Sequence, residues 1–219
     1  MLRAELHCHS EFSRDADTAL DQLITLCKER QIDVIALTDH NEIAGAVRLK
    51  QLAPKWLKVI VAEEIASAEG DIIGLFLQEK IPARLSVAGT IAAIRAQGGL
   101  VLIPHPFDRI RHEAVGLKVV EEIKDQIDFI EIFNSRCLIH GDNQRAKQYA
   151  TAHNIPAFVG SDAHTRSEYG RSVNVIEPFK TPAEFKANLE KATFVTRYAS
   201  PFVHAKTKLV KIKKRKLVK

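Results

Sequence analysis

Short apolar runs rich in β-branched residues alternate along this 219-residue chain with segments whose apolar residues recur at helical spacing. This alternation favours a parallel sheet covered by helices, because parallel strands need a long crossover between them. No linker rich in glycine, proline or serine divides the chain, so we expect one α/β domain, either a closed or nearly closed barrel or an open doubly wound sheet. Seven runs are predicted strands, with Ser172–Ile176 as an extra candidate: Leu2–Cys8, Asp33–Thr38, Lys58–Ala62, Asp71–Leu77, Leu100–Pro104, Asp128–Phe133 and Ala157–Gly160.

Three helices are predicted from apolar spacing and capping residues. The first follows Asp17 or Thr18 as its cap, and its apolar stripe falls on Leu20, Leu23, Ile24 and Cys27. Ser86 caps the second helix. The third is expected to be the last helix of the chain, since Thr181 and Glu184 have the spacing of a capping box that encloses a proline.

Charge is unevenly distributed along the chain. Residues 206–219 contain eight Lys or Arg residues and no acid, so the remainder, with 24 bases and 27 acids, is mildly acidic. We expect a folded domain over residues 1–203 and a basic C-terminal tail over residues 204–219. Such a tail either binds short nucleic acids through their phosphates or stays solvated. The alternation of Val210 and Ile212 with lysines also suits a short terminal strand.

The sequence carries no signal for a membrane or for secretion, which favours a cytoplasmic protein. No apolar run is long enough to cross a bilayer, and no charged and then apolar leader precedes the first strand, so no membrane partner is expected. The cysteines Cys8, Cys27 and Cys137 are odd in number and far apart, which predicts reduced, mostly buried thiols. No feature indicates an oligomeric state.

Residue types that bind metals follow most of the predicted strands. His7 and His9 would project together from the first strand, because alternate side chains share a face. Leu6 and Cys8 would then face the covering helices. The others are Asp39 and His40, Glu64, His105, Glu131 and Asn134, and Asp162 and His164. Carboxyl ends of parallel strands lie on one rim, so these residues should be neighbours. The remaining histidines are expected on the surface: His112, His140, His153 and His204.

So dense a group of imidazoles and carboxylates requires a cation, because the charges would otherwise lie desolvated and unpaired. These ligands favour zinc, iron or manganese over calcium or magnesium, and the lack of a thiolate set argues against a closed structural zinc site. Since the ligands exceed the needs of one ion, we expect two or three divalent metal ions, with Glu64 or Asp162 able to bridge.

At this rim the chain resembles the PHP family, named for polymerase and histidinol phosphatase. The motifs that carry the resemblance are His7-Cys8-His9-Ser10, Thr38-Asp39-His40-Asn41 and Ser161-Asp162-Ala163-His164. Each motif is short, but their order and spacing make the set specific, and the match spans Leu6 to His164. The resemblance implies a distorted seven-stranded (β/α) barrel of the TIM-like kind with a trinuclear metal centre.

The resemblance also implies which residues hold each metal. One ion would be held by His7, His9, Glu64 and Asp162. Glu64 would bridge to a second ion that His105 also holds, and the third would be held by Asp15, His40 and His164. Glu131 is a further candidate ligand, because some relatives have a histidine after the sixth strand, where this chain has Glu131 and Asn134. Asp71 stands where many relatives have histidine, and it is given no role.

The activity that the resemblance implies is that of a metal-dependent phosphoesterase. The expected substrate is a small phosphorylated metabolite or nucleotide, cleaved as a phosphomonoester. Catalytic roles are assigned to Asp162, His164 and His40. Arginines in the rim loops are candidates to bind the substrate phosphate bidentately: Arg109, Arg136 and Arg171.

Three alternatives are weighed against this function. An exonuclease or phosphodiesterase could use the same centre on short nucleic acids held by the basic tail, and its activity would fall steeply with salt. The sequence of an amidohydrolase barrel also begins with a His-x-His motif. Such enzymes commonly need a lysine that bridges two metals, and no lysine ends a central strand here. A non-catalytic metal-binding module is disfavoured because the ligand set is nearly complete.

Overall fold

A computed structural model describes residues 1–217, which form nine strands and seven helices. The strands are β1 Leu2–Glu5, β2 Val34–Leu37, β3 Lys58–Ala66, β4 Asp71–Leu75, β5 Leu100–Ile103, β6 Phe129–Asn134, β7 Ala157–Gly160, β8 Val173–Ile176 and β9 Thr193–Val195. The helices are α1 Leu20–Glu29, α2 Ala44–Leu52, α3 Val87–Ala96, α4 Gly116–Ile123, α5 His140–Ala152, α6 Pro182–Leu189 and α7 Phe202–Leu217. All seven predicted strands are present, and the extra candidate is β8.

The strands form one sheet in the order β7-β6-β5-β4-β3-β2-β1-β8-β9. β1 to β3 are parallel, as are β5 to β7, whereas β4 is antiparallel to both of its neighbours. The expectation that the Asp71 strand joins a wholly parallel set is therefore wrong. β3 ends at Ala66 and β4 begins at Asp71, which leaves room for a turn but not for a crossover helix. The sheet curls into a nearly closed barrel, which confirms the predicted fold class over the open sheet.

The barrel closes where β7 approaches β1 and β8, and both a side chain and the backbone make hydrogen bonds across this gap. The Asn174 side chain accepts from the Val159 amide at 3.0 Å and donates to the Val159 and Ala4 carbonyls at 2.8 and 3.2 Å. Beyond the end of β1, the Asp162 amide donates to the His7 carbonyl at 2.7 Å. These bonds bring the segment after β7 against the segment after β1.

Two apolar cores stabilise the barrel. The inner core contains inward-facing strand residues such as Phe158, together with Phe185 from α6. The outer core lies between the strands and the surrounding helices and includes Cys8, as predicted. Leu6 instead belongs to the inner core, which corrects its predicted position. β1 ends at Glu5, so the alternation of a regular strand does not continue through the residues that follow it.

Capping signals predict two of the three helix starts correctly. Ser86 caps α3 and Thr181 caps α6, each accepting at 3.1 Å from the amide three residues ahead. At α1 the predicted cap is wrong, because Ala19 occupies the cap position. The Glu11 carboxylate accepts from the Leu20 amide in place of a local cap side chain.

The basic C-terminal run folds as a helix, so the short strand considered over Val210 and Ile212 is wrong. Val203 and Val210 are buried two turns apart on one face of α7, which explains why helical spacing prevails over the alternation. α7 is also the last helix, which corrects the expectation for α6. The end of the predicted tail, Val218 and Lys219, lies outside the described residues.

The state of the cysteines and the character of the helices bear on two further predictions, buried thiols and the lack of a membrane span. Cys8, Cys27 and Cys137 are free and buried, as predicted. Within residues 1–217, none of the helices combines the length and the apolar character that a membrane span requires.

Candidate metal centre

Glu64 lies at the centre of the predicted ligands and places each carboxylate oxygen between two histidines. Its Oε1 lies 3.4 Å from His7 Nε2 and 3.1 Å from His105 Nε2. Its Oε2 lies 3.2 Å from His9 Nε2 and 3.1 Å from His40 Nδ1. β3 continues through Glu64 instead of ending before it, so a regular strand holds this buried side chain. A carboxylate with its two oxygens against separate imidazole pairs has the arrangement expected of a bridging ligand.

Asp162, which follows β7, faces some of the same histidines. Its Oδ1 lies 3.6 Å from His7 Nε2, 3.3 Å from His9 Nε2 and 3.4 Å from His164 Nδ1. Gly160 allows this approach, because a Cβ at that position would lie 2.6 Å from His7 Cβ. The ends of β1 and β7 are thus brought together as the rim argument predicted.

Asp15, His40 and His164 form a third group within the cluster. Asp15 Oδ1 lies 3.7 Å from His40 Nε2 and 3.6 Å from His164 Nε2. The His9 ring contacts both imidazoles, with its centroid 4.4 Å from that of His40 and 4.2 Å from that of His164. The structure therefore gathers every residue of the predicted third site.

Asp39 organises the loop that carries Asp15. Its two oxygens accept from the Ser10 and Ser13 hydroxyls at 2.7 and 2.6 Å, and from the Ser10 amide at 2.7 Å. Asp39 thus has a structural role beside the cluster, and its oxygens are occupied.

Glu131 lies behind the cluster, in the position of a residue that orients a ligand. Its Oε1 lies 3.1 Å from His7 Nδ1, and its Oε2 accepts from the His105 amide at 2.6 Å and from Asn134 Nδ2 at 3.0 Å. Both oxygens are occupied, and His7 turns its other ring nitrogen toward Glu64. A carboxylate in this position fixes the orientation of a ligating imidazole and increases its basicity.

Among the described residues, six buried atoms of the cluster make no hydrogen bond of suitable geometry, even where a charged neighbour is close. They are His7 Nε2, His9 Nε2, His105 Nδ1, Asp15 Oδ1, Glu64 Oε2 and Asp162 Oδ1. Unpaired buried polar groups are rare because each costs about 1–3 kcal/mol. Divalent cations would satisfy such a set, and nitrogen and carboxylate donors without thiolate suit zinc, iron or manganese. The residues present therefore fit the predicted class of metal.

Protonation suits metal binding at Glu64 and His164 but not at His9, where burial lowers the pKa of the imidazole and contacts with Asp162 and Glu64 raise it to about 9. Burial raises the pKa of Glu64, but His7 and His40 outweigh it and bring that pKa well below its ordinary value. Burial, together with the neighbouring Arg136, holds the pKa of His164 well below its ordinary value. An ionised carboxylate and a neutral imidazole are the forms that bind metal.

Two predicted ligands adopt backbone conformations that are uncommon for residues other than glycine. The φ angle is 28° at His105 and 52° at Asp162, and each residue lies two positions beyond the end of a strand. Such conformations cost on the order of 1–3 kcal/mol and concentrate at functional sites. They turn the chain at the rim, where both side chains join the cluster.

Asp71 belongs to the site, although it was given no role from the sequence. It opens β4, and because β4 is antiparallel, its first residue lies on the rim that holds the carboxyl ends of the parallel strands. Its carboxylate is within 4.8 Å of ligand atoms of His40 and Glu64. Burial and the charge of Glu64 raise the pKa of Asp71 to about 8. The short connection between β3 and β4 is the signal that could have revealed this placement.

Arg111 also belongs to the site and was not predicted. Its guanidinium pairs with Asp162 Oδ2 and lies 3.3 Å from Asp108 Oδ2. Burial raises the pKa of Asp162, but Arg111 and His7 bring it well below its ordinary value. The shape of the loop after β5 places this side chain, and no motif in the sequence marks it.

Of the three arginines predicted to bind phosphate, only Arg136 reaches the cluster. Arg136 is buried, and its Nη1 contacts His164 Nδ1. Arg109 donates from Nε to Asp142 Oδ1 at 2.8 Å, and Arg171 donates to two backbone carbonyls. Neither of these two arginines lines the cavity over the cluster.

An open cavity of about 220 Å³ lies over the cluster. The predicted ligands that reach it are Asp15, His40 and His164, and its cationic lining consists of Arg14, Arg111, Arg136 and Lys211. α7 forms one wall through His204, Thr207 and Lys211. His204 is therefore not the plain surface residue that was predicted, whereas the other three are exposed: His112, His140 and His153.

Two family models match the chain, one in its N-terminal part and one in its C-terminal part. The model described as the PHP domain matches residues 5–87, and the model described as PHP-associated matches residues 140–194. Two relatives are uncharacterized proteins of Methanocaldococcus jannaschii. One is 36% identical over 61% of this chain and 82% of its own length, and the other is 34% identical over 78% of this chain and 69% of its own length.

A similar solved structure is that of a two-domain protein from Bacteroides vulgatus that contains a predicted PHP-like metal-dependent phosphoesterase. It superposes with a TM-score of 0.72 over 90% of this chain, at 17% sequence identity. The chain spans 65% of the length of that protein. At this identity, the likeness establishes the shared fold.

Proposed function

The chain belongs to the PHP family, and we propose that it is a metal-dependent phosphomonoesterase that hydrolyses a small phosphorylated metabolite or nucleotide. The observation that carries this proposal is the Glu64 carboxylate, which lies within 3.4 Å of four imidazoles. This cluster lies under a cavity lined by four cationic side chains. The lining also includes the acidic residues Asp71, Asp108 and Glu113, so the four cationic side chains are the groups available to bind a doubly charged phosphate.

Divalent cations, when bound, supply Lewis acidity that neutralises phosphate charge and lowers the pKa of water. We propose two or three ions of zinc, manganese or iron. Their ligands would be His7, His9, Glu64 and Asp162 for the first, Glu64 and His105 for the second, and Asp15, His40 and His164 for the third. Asp71 would add a carboxylate near His40, where its oxygen already lies within reach of the same group.

Contacts on both of its carboxylate oxygens fix the orientation of Asp162. Its Oδ1 faces three imidazoles, while Arg111 and Asn134 Nδ2, the latter at 3.3 Å, hold its Oδ2. Of the histidines in the cluster, those that line the cavity are His40 and His164. These contacts support catalytic roles for His40 and His164, because a substrate can reach these two imidazoles. Asp162 would act as an oriented metal ligand, because it is buried and does not line the cavity.

Arginine side chains supply the phosphate-binding groups. Arg111 and Arg136 are held by partners within the site, so both guanidinium groups are already oriented before a substrate enters. A preorganised guanidinium binds phosphate oxygens at a smaller entropic cost than a mobile one. The cavity volume of about 220 Å³ lies below the range of about 300–1,000 Å³ for pockets that hold drug-sized ligands, which favours a small substrate.

A phosphate-release assay tests this function. The protein is stripped with a chelator, reloaded separately with zinc, manganese or iron, and incubated with sugar phosphates, nucleoside monophosphates and simple amides. We expect metal-dependent phosphate release from monoesters, its loss in His40→Ala, and its retention in the matched control His112→Ala, whose imidazole is exposed. Amide cleavage without phosphate release would instead favour an amidohydrolase. Metal binding with no turnover of any ester would favour a non-catalytic module.

The second candidate function, trimming of short nucleic acids, has one observation in its favour. α7 forms a wall of the cavity and also exposes the basic residues Lys206, Lys208, Lys213 and Arg215. Activity on oligonucleotides that depends on these residues should fall steeply with salt, because phosphate binding releases counterions. Salt-insensitive hydrolysis, unchanged when these residues are replaced by glutamine, would favour the small substrate.

A further inference from the structure

We propose that Lys211 and Arg14 form a second anion-binding position at the mouth of the cavity, selecting substrates that carry a second anionic group beyond the phosphate to be cleaved. This inference rests on the proposed phosphomonoesterase function and names its substrate class. The proposal assigns α7 to the substrate-binding part of the protein, whereas the sequence alone predicts a basic tail.

α7 is attached to the rim at two places along one face. Near its start, Thr207 Oγ1 accepts from Arg136 Nη2 at 2.9 Å, and His204 Nε2 lies 3.0 Å from the Arg136 carbonyl. Further along, Lys214 donates to the Ser13 carbonyl at 2.7 Å. The helix therefore runs from the His164 side of the cluster to the loop that carries Asp15.

Lys211 lies between these two attachments. It follows Thr207 by four residues and precedes Lys214 by three, so helical periodicity puts all three side chains on the face that meets the rim. Lys211 is half-buried and lines the cavity. Arg14 lines the same cavity and directly follows Ser13, which accepts the Lys214 hydrogen bond.

These two cations differ from the other two in the cavity because they are not engaged. Arg111 pairs with Asp108 and Asp162, and Arg136 pairs with Glu168. Among residues 1–217, neither Lys211 nor Arg14 makes a side-chain hydrogen bond or an ion pair. A half-buried ammonium without a partner at the mouth of a binding cavity is available for a ligand anion.

The difference between the paired and the unpaired cations of the cavity indicates the class of substrate. The phosphate to be cleaved belongs next to the cluster, where Arg111 and Arg136 lie, and Lys211 and Arg14 remain for another group of the same molecule. A carboxylate or a second phosphate supplies the required charge, and both are hydrogen-bond acceptors. The substrate class is therefore a compact phosphorylated acid or a bisphosphate.

Ligands that cannot be hydrolysed test this position by binding. Isothermal titration calorimetry on the metal-loaded full chain would compare propylphosphonate, which has one anionic group, with phosphonopropionate and propylene diphosphonate, which have two. We expect both ligands with two anionic groups to bind at least about tenfold more tightly than propylphosphonate, the size expected for an added charge-assisted hydrogen bond. Their relative affinities show whether carboxylate or phosphate is preferred.

Variants show which residues cause the preference for a second anionic group. Lys211→Gln and Arg14→Gln should each reduce the preference for the ligands with two anionic groups about tenfold, whereas Lys211→Arg should retain most of it. Lys208→Gln is the matched control, because Lys208 lies on the same helix, is exposed and does not line the cavity. Equal loss of all three ligands in Lys211→Gln, or the same loss of preference in Lys208→Gln, would overturn the proposal.

The outcome separates this inference from the proposed function. Phosphate release without any preference for a second anionic group would reject the Lys211 and Arg14 position and leave the phosphomonoesterase in place. A preference that depends on Lys211, in a protein that releases no phosphate, would support the anion position and reject the catalytic proposal. Failure of propylphosphonate and of both ligands with two anionic groups to bind the metal-loaded protein would also reject the anion position.

Discussion

Glu131 Oε1 lies 3.1 Å from His7 Nδ1, and both side chains are fully buried. The contact makes Glu131 a positioning residue that holds His7 for the cluster, so Glu131→Gln should weaken metal binding without removing a ligand. We expect a loss of about 10–100-fold in metal affinity, the range typical of such partners. Competition with a chromophoric chelator measures this affinity.

His7→Ala provides the comparison for this prediction. It removes the imidazole itself and should reduce the number of metal ions per chain, whereas Glu131→Gln should retain that number at saturating metal. Loss of a whole metal ion in Glu131→Gln would show that Glu131 is a direct ligand after all.

Gly160 is predicted to be indispensable for closing the barrel around the metal centre. A Cβ at this position would overlap Glu131 Oε1 and lie 2.6 Å from His7 Cβ. Gly160→Ala should lower the free energy of unfolding by about 1–3 kcal/mol, as overpacking does, and should weaken metal binding. Gly141→Ala is the control, because a Cβ there has no atom within 4 Å, and it should be neutral or stabilising in α5. Equal stability of the two variants in urea unfolding would refute the packing argument.

Asp128 should make the stability of the fold depend on pH. Burial raises its pKa, but hydrogen bonds from Arg95, Lys186 and the Val101 amide bring it below the ordinary value. Because the folded pKa is depressed, the stabilisation is complete above the unfolded pKa of about 4 and is lost as the pH falls through the folded value. Both cationic side chains are more than a third exposed, so screening keeps the effect modest.

The measurement is urea unfolding of chelator-treated protein, which removes the separate pH dependence of metal binding. Asp128→Asn should lower the free energy of unfolding by about 1–2 kcal/mol at pH 7. Once the pH falls below the depressed folded pKa of Asp128, the variant and the wild type should converge, because the native carboxyl is then protonated as well. A difference that stays constant across this range would show that the charge of Asp128 is irrelevant.

α7 should be dispensable for folding. Up to Arg215, the last residue of α7 whose burial the structure describes, neither apolar core contains a residue of this helix, and its buried apolar residues are Val203 and Val210. A chain that ends at Pro201 should remain folded and lose about 3 kcal/mol of stability, the value of burying these two side chains. Its helical circular dichroism signal should fall only by the share of this 16-residue helix. A truncated chain that is unfolded would show instead that residues 1–203 are not an independent domain.

The sequence predicted most of the fold through local signals. Apolar runs marked each predicted strand, and Ser86 and Thr181 marked the helix starts where a side chain does cap the helix. The direction of β4 was misjudged, although the few residues between β3 and β4 are too short for a parallel crossover. The conformation of α7 could not be predicted, because its apolar residues satisfy both alternation and helical spacing, and packing of Val210 decides between them.

For the site, strand-end position predicted which residues meet but not what each one contacts. Glu64 and Asp162 converge on the histidines because the rim of a barrel brings strand ends together. Glu131 lies within β6 and not at its end, and its contacts with His7 Nδ1 and the His105 amide place it behind the ligands. Arg111 depends on the path of a loop, which apolar periodicity does not encode.

The most direct test of the metal centre is the metal content of the purified protein, measured by inductively coupled plasma mass spectrometry after reconstitution with zinc, manganese or iron. Wild type and the control Glu122→Gln, an exposed glutamate, should each bind at least two divalent ions per chain. Glu64→Gln should fold and bind fewer ions, because the carboxylate between the four imidazoles is gone. A wild-type protein that is folded yet metal-free after reconstitution, or a Glu64→Gln variant with full metal content, would contradict this account.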